Sequence, residues 1–411
     1  MLLIVIYRLA LDFMYVTQLS PIFAYSGYTT DLEPMRYVCS LAVLAAFVPF
    51  VAAVNEDPRP SSMLVTFLNY LYFIPMTSYC GCKGAGFPFL ACGAVYWAVL
   101  LALQFCLPSV ELRPPAFRLS RTLFVLLTVL ACLFVLYISG RYTGFRLTLD
   151  FIDVYGTRAE AAGYQMPRLL SYLLSLMTIV LSFLLLYWLR ERRYLMAALV
   201  SVVFLFYYSI ATRKSVFFFL FLVLGCWALY RGWMLRWAPG FLTLGVAAAW
   251  LAQKALGFIH PISIFVRRLM YAPVRLSEEY MDFFRENPLN LFRSGIMRRL
   301  SFTEVYSSGV SNIIGELDGS GAIANNGLLG DLFSNLPLLP GLFLMPLILA
   351  VCFRLLDLSS RDIPPKLTVC FSVYSAIGFM NTSWSTVLLS HGFLIACLLL
   401  YIFPRKENNA L

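Results

Sequence analysis

Apolar runs of roughly twenty residues recur from one end of this 411-residue chain to the other. A run of that length matches the hydrocarbon thickness of a bilayer when coiled as a helix. The composition agrees. Hydrophobic residues make up 61% of the chain and charged residues 13%, against about 45–50% and about 25% in soluble domains. An ordinary globular enzyme, a disordered chain and a small secreted scaffold are excluded. The runs lack the two-residue alternation of an outer-membrane barrel. The expected fold class is an all-α integral membrane protein with about twelve transmembrane helices. They lie near 1–19, 36–54, 61–79, 87–107, 120–139, 168–189, 194–211, 215–230, 237–257, 337–356, 366–381 and 384–403. The first run carries Arg8 and Asp12 and lacks a small-residue cleavage site, so it reads as a retained helix and not as a signal peptide. Four residues apart, Arg8 and Asp12 are expected to pair.

The short loops set the expected orientation. With both termini cytoplasmic, fourteen Lys and Arg fall in inside loops. Only Arg36, Lys83, Arg213 and Lys214 fall in short outside loops. The net charge of +10 is therefore read as loop chemistry, with no nucleic-acid partner. Two outside loops are long, about 140–167 and 258–336. The expected organisation is nine spans over 1–257, a large periplasmic loop with short helices over 258–336, and three spans and a short tail over 337–411.

The large loop sorts its charge. Residues 258–299 hold seven Arg, at 267, 268, 275, 285, 293, 298 and 299, beside four carboxylates. Residues 300–336 hold no Lys or Arg but carry Glu304, Glu316, Asp318 and Asp331. Arginine binds phosphate oxygens through a two-pronged fork and keeps its charge when partly dehydrated. Ser277 is read as the cap of a short helix stopped at Asn287-Pro288. Tyr280, Met281, Phe283 and Phe284 are read as a stripe at the membrane interface. The Gly-, Ser- and Asn-rich stretch that follows has the polar lining sugar hydroxyls require. Most of the ten Cys lie inside apolar runs, and Cys80 and Cys82 are too close for an easy bridge. No disulfide framework, metal site or cofactor is expected.

The stretches RRLMYAPVRLSEEYMDFF, ANNGLLGDLFSNLPLLPGLFLMPLILA and YYSIATRKSVFFFLFL, with the opening LALDFMYVTQLSPIFAYSGY, resemble the bacterial oligosaccharide repeat-unit polymerases, the Wzy-type O-antigen polymerases. Arg298 and Gly309, with ten residues between them, stand at the spacing of that family's Arg loops. The 140–167 loop shows no such pair. The resemblance implies a GT-C-like, metal-independent glycosyltransferase of the bacterial inner membrane. Its substrates would be oligosaccharide units on undecaprenyl pyrophosphate. It would build O-antigen for lipopolysaccharide, or capsule, beside a flippase and a chain-length regulator. The same features leave open an O-antigen ligase, which shares the donor, or a lipid-linked oligosaccharide flippase.

That chemistry selects the candidate residues. Arg268, Arg298, Glu304 and His260 are the catalytic candidates. Arg267, Arg275, Arg299, Arg141, Arg146, Arg213, Lys214, Asn326 and Asp331 are the substrate-binding ones. Among the carboxylates, Glu304, Glu316 and Asp331 are the possible bases.

The fourteen-to-four asymmetry of the short loops predicts that Ser320→Cys, in a Cys-free background, reacts with an impermeant thiol reagent added outside. Labelling from the cytoplasmic side alone would reverse the topology.

Overall fold

The computed structural model describes residues 1–108, 120–148, 156, 160–161, 163–211, 214–293, 305–317 and 323–404. Among these residues every regular element is a helix. Eight helices are long and apolar enough to cross a membrane: Leu2–Ser26, Pro34–Glu56, Phe87–Cys106, Arg121–Thr143, Arg168–Arg190, Met234–Leu256, Leu338–Ser359 and Trp384–Tyr401. The protein is thus a multi-pass helical membrane protein. The four other expected spans are also helical. Tyr194–Ile210 and Lys214–Leu229 are apolar but shorter, and Pro365–Asn381 is a 17-residue helix. The fourth, over 60–83, is long but more polar. Local signals place several ends. Proline stands at the first position of Pro34–Glu56, where its missing N–H costs nothing. Gly257, at φ +65°, closes Met234–Leu256 in the left-handed conformation.

The chain divides into two compact units. The first comprises Met1–Ser109, Gly232–Arg354 and Ser375–Val387. At its centre runs Pro60–Leu68, a π-helical stretch Asn69–Phe73, and Ile74–Lys83. Nearly every residue of this helix is buried. Ser61, Ser62, Thr66, Asn69, Thr77 and Ser78 therefore face protein and not lipid. Hydrogen-bond partners of five of these six explain why a helix of that polarity is stable there. Trp97 Nε1 donates to Asn69 at 2.7 Å, and Gln104 Nε2 donates to Ser61 and Ser62 at 2.9 and 2.8 Å. Arg354 Nη1 reaches Ser61 at 3.2 Å.

The C-terminal half of the central helix meets a buried charge pair. Arg8, fully buried, is ion-paired with Asp12 one turn on, as the spacing predicts. Arg8 also donates to Thr77 Oγ1 (3.1 Å), the Thr77 carbonyl (2.8 Å) and Ser40 Oγ (3.0 Å). Asp12 accepts from Ser78 (2.5 Å) and Tyr37 (2.9 Å). The Tyr271 hydroxyl lies 2.8 Å from that of Ser78 and donates to the Leu11 carbonyl at 3.1 Å. One polar knot thus joins four separate stretches of chain.

Tyr271 belongs to the 258–336 segment. There a π-helix, Ile262–Tyr271, runs into the α-helix Ala272–Glu286. Ile262, Val266, Met270, Tyr271 and Val274 are all fully buried. Ser277 sits inside this helix and donates to the Pro273 carbonyl one turn back, so it is not the N-cap read from the sequence. The expected stop at Asn287 is present. Tyr280 and Met281 are buried in protein instead of lying at a lipid interface. Local spacing shows which residues form a stripe, but not what covers it. Among the described residues, Val310–Leu317 and Leu329–Asn335 are the segment's further helices.

The second unit comprises Val110–Arg231, Leu355–Tyr374 and Leu388–Leu411. Its helices are held by aromatic and hydroxyl contacts. Phe124 stacks on Tyr187 at 3.7 Å, Trp188 Nε1 donates to Thr128 at 2.9 Å, and the Thr178 and Tyr207 hydroxyls meet at 3.0 Å.

Removing one partner of a buried ion pair leaves an uncompensated charge, at a cost of roughly 3–5 kcal/mol. Asp12→Ala and Arg8→Ala should therefore each lower the thermal unfolding midpoint in detergent strongly. The double variant Arg8→Leu/Asp12→Leu should lie closer to wild type than either. A double variant as unstable as the sum of the singles would show that the pair itself contributes little.

Candidate functional site

In the first unit, Arg275 lies against Tyr28, and Arg267, eight residues earlier, lies against Phe23. Arg267 occupies the π-helical stretch and Arg275 the α-helix that continues it. The Arg275 guanidinium carbon lies 5.4 Å from the Tyr28 ring centre, and that of Arg267 lies 4.3 Å from the ring of Phe23. Burial pushes the Tyr28 phenol up to about 12, while both guanidiniums pull it back down.

Arg275 is buried but not isolated. Its Nη1 is 2.7 Å from Glu279 Oε1 on the next turn. Glu278, one position away, accepts from Lys83 Nζ at 2.6 Å and from the Tyr79 hydroxyl at 2.7 Å. Ser277, between these charges and Arg275, lies 2.5 Å from the Tyr72 hydroxyl. One helical turn thus carries a buried cation paired with one carboxylate, a buried hydroxyl facing Tyr72, and a second carboxylate directed to Lys83 and Tyr79. A guanidinium that pairs with a carboxylate has the geometry to pair with a phosphate oxygen. A phosphate oxygen arriving at Arg275 would exchange places with Glu279 through the same charge-assisted geometry.

Arg268 is exposed and makes no ion pair among the described residues. His260 is exposed, edge-on to Phe258 at 5.2 Å. Asn326 is buried and donates to Ser277 Oγ at 2.9 Å, which ties it to the turn carrying Arg275. Its neighbour Gly327 has no room for a Cβ, which would strike the carbonyl oxygens of Phe379 and Thr382. Glu316 is exposed. Asp331 is buried and accepts the Trp384 backbone N–H at 2.7 Å. Burial raises its carboxyl to about 7, and the Trp384 N–H pulls in the other direction.

In the second unit, Arg141 is exposed over the Tyr142 ring at 5.9 Å. Arg146 pairs with Glu160 at 2.8 Å. Lys214 is half-buried at the start of its helix. Arg213, Arg298, Arg299 and Glu304 lie outside the described residues.

Reading the sequence missed Tyr28, Glu279 and the Lys83–Glu278–Tyr79 cluster as parts of one locality. Only the i, i+4 spacing of Arg275 and Glu279 was a local signal. Lys83 and Glu278 are 195 residues apart, and no spacing rule links them. Among the described residues no group of His, Cys, Asp and Glu is arranged to hold a metal ion.

The fold and this site define an all-helical multi-pass membrane protein with a buried arginine–tyrosine–carboxylate centre. Comparison with protein-family models, curated proteins and solved structures returned no match.

Asp331 generates a pH prediction. The unfolded chain releases this proton near pH 4, whereas the folded protein holds it to about 7. Between these values the folded state binds the extra proton, so stability falls as pH rises through the window and the loss is complete above it. Asp331→Asn keeps an acceptor for Trp384 and removes the titration. Between pH 5 and pH 8 the unfolding midpoint of the variant should gain on wild type by several degrees. Parallel curves would show that Asp331 titrates normally.

Proposed function

We propose that the chain polymerises oligosaccharide repeat units carried on undecaprenyl pyrophosphate, at the periplasmic face of the bacterial inner membrane. On this reading it has twelve spans of GT-C type and both termini in the cytoplasm. The observation that carries the proposal is the pair of arginines on one continuous helix, Arg275 against Tyr28 and Arg267 against Phe23. Both arginines belong to the stretch RRLMYAPVRLSEEYMDFF, on which the family resemblance rests.

The growing glycan leaves its lipid carrier and joins a hydroxyl of the incoming unit. The bond between the anomeric carbon and the phosphate oxygen breaks, and a new glycosidic C–O bond forms. The leaving pyrophosphate gains negative charge as the first bond stretches. Arg267 and Arg275 would balance that charge, with exposed Arg268 meeting the outer phosphate. Each fixed donor aimed at developing charge contributes roughly 2.7–4 kcal/mol to lowering the barrier. Glu279 holds Arg275 in place before the substrate arrives. His260, exposed at the start of this segment, is a base candidate for the attacking hydroxyl.

Deletion of the gene should leave single repeat units on the final lipid instead of a ladder of long chains. In that strain, Arg275→Lys and Arg267→Ala should each cut polymer formation by roughly 100-fold or more, because lysine lacks the planar fork. Glu286→Ala, at an exposed position, should polymerise normally. Full-length ladders from both arginine variants at equal membrane levels would remove the assignment. Loss of all surface glycan on deletion, single units included, would point to a flippase or a ligase.

A further inference from the structure

A groove of about 420 Å³ lies between the first helix and the start of Pro34–Glu56. One wall is the stripe Leu9, Phe13 and Val16, at positions i, i+4 and i+7 of the helix, covering roughly 10 Å of its axis. Leu32, Pro34 and Tyr37 line the groove from the other side. Leu9, Phe13 and Leu32 are 48%, 54% and 51% exposed, so the groove is open along a membrane-spanning helix.

Its floor is Asp12. Arg8 and Tyr37 donate to one carboxylate oxygen, Ser78 and Cys82 to the other. A carboxylate offers about four lone-pair sites, so this one has no capacity left for a ligand hydroxyl. The groove therefore presents hydrocarbon over a satisfied polar floor, and an alkyl chain suits it.

The end of the groove nearest the helix–helix loop is different. Asp31 and Glu33 both pair with Arg36, whose Nη1 also donates to the Gly84 carbonyl. Lys83, the neighbour of Gly84, is taken by Glu278. Two carboxylates, 64% and 48% exposed, thus share one guanidinium, and the rim carries one excess negative charge. The complementary ligand has an alkyl chain and a cationic head with N–H donors. An anionic headgroup meets repulsion there, and a quaternary ammonium has charge but no donor.

We propose that this groove seats a membrane phospholipid with a primary ammonium headgroup, of the phosphatidylethanolamine class. Its acyl chain lies over Leu9, Phe13 and Val16, and its ammonium rests on Asp31 and Glu33. The proposal depends on the membrane-spanning fold alone and not on the enzymatic reading.

The test is native mass spectrometry of the full-length protein from micelles doped equally with phosphatidylethanolamine, phosphatidylcholine and phosphatidylglycerol. Wild type should retain one phosphatidylethanolamine at least fivefold over the other two. Stepwise N-methylation of the headgroup should lower retention progressively, a measurement that needs no variant. Asp31→Asn/Glu33→Gln should erase the preference. Val16→Trp, which fills the groove, should lower retention of all three lipids and keep their ratio. Equal or greater retention of phosphatidylglycerol, indifference to N-methylation, retention of a polyprenyl phosphate instead, or an unchanged preference in the double variant would each overturn the proposal.

Discussion

An arginine and an aspartate buried one turn apart in an apolar helix are tolerable only if every polar group on both is met, because an unmet charge there costs several kcal/mol. Arg8 and Asp12 meet that demand by drawing partners from two other stretches of chain. Thr77 and Ser78 come from the central helix, Ser40 and Tyr37 from the Pro34–Glu56 helix. The Ser78–Tyr271 contact adds the segment that carries Arg267 and Arg275. The pair thus sets the register of these elements more sharply than shape-matched apolar surfaces would. Apolar side chains tolerate sliding, whereas a guanidinium with four named contacts does not.

From that knot the functional geometry follows outward along the 262–286 helix. Tyr271 stands where the π-helical stretch gives way to the α-helix. π-Helical turns recur at functional sites, where they re-aim side chains that a regular helix would place elsewhere. Here the change of pitch falls between Arg267 and Arg275. Arg275 ends at Tyr28, in the loop that follows the first helix, and Arg267 at Phe23, near that helix's end. The charge balance is close, since each buried cation of this turn has a carboxylate or a ring beside it. Activity at such a place would arise from exchange of partners and not from bare charge.

Much of the membrane architecture was legible in the sequence because hydropathy sums locally. Each of the twelve expected segments coincides with a helix, and eight meet both length and apolarity for a span. The Arg8–Asp12 pair was legible for a similar reason, its partners lying four residues apart. The candidate site was legible only in its arginines. Tyr28, Lys83 and Glu278 are joined to it by contacts over long sequence separations, which leave no periodic trace. Ser277 shows the reverse error. A serine before two glutamates has the form of a helix cap, but the chain was already helical fifteen residues earlier, driven by burial of Ile262, Val266 and Met270.

The central helix carries a consequence for how the protein is made. A segment with Ser61, Ser62, Thr66, Asn69, Thr77 and Ser78 in one span partitions into lipid less readily than its neighbours, since each polar side chain exposed to hydrocarbon opposes insertion. Its partners for those groups include Arg8 and Asp12 from the first helix, already synthesised, and Gln104 from the next one to emerge. Such a helix gains most by leaving the translocation machinery in company, with the two preceding helices held nearby until it docks. Arg354 and Tyr271 arrive hundreds of residues later. Assembly of this unit therefore has an order written into it, early helices waiting with unfinished polar contacts that only the late part of the chain completes.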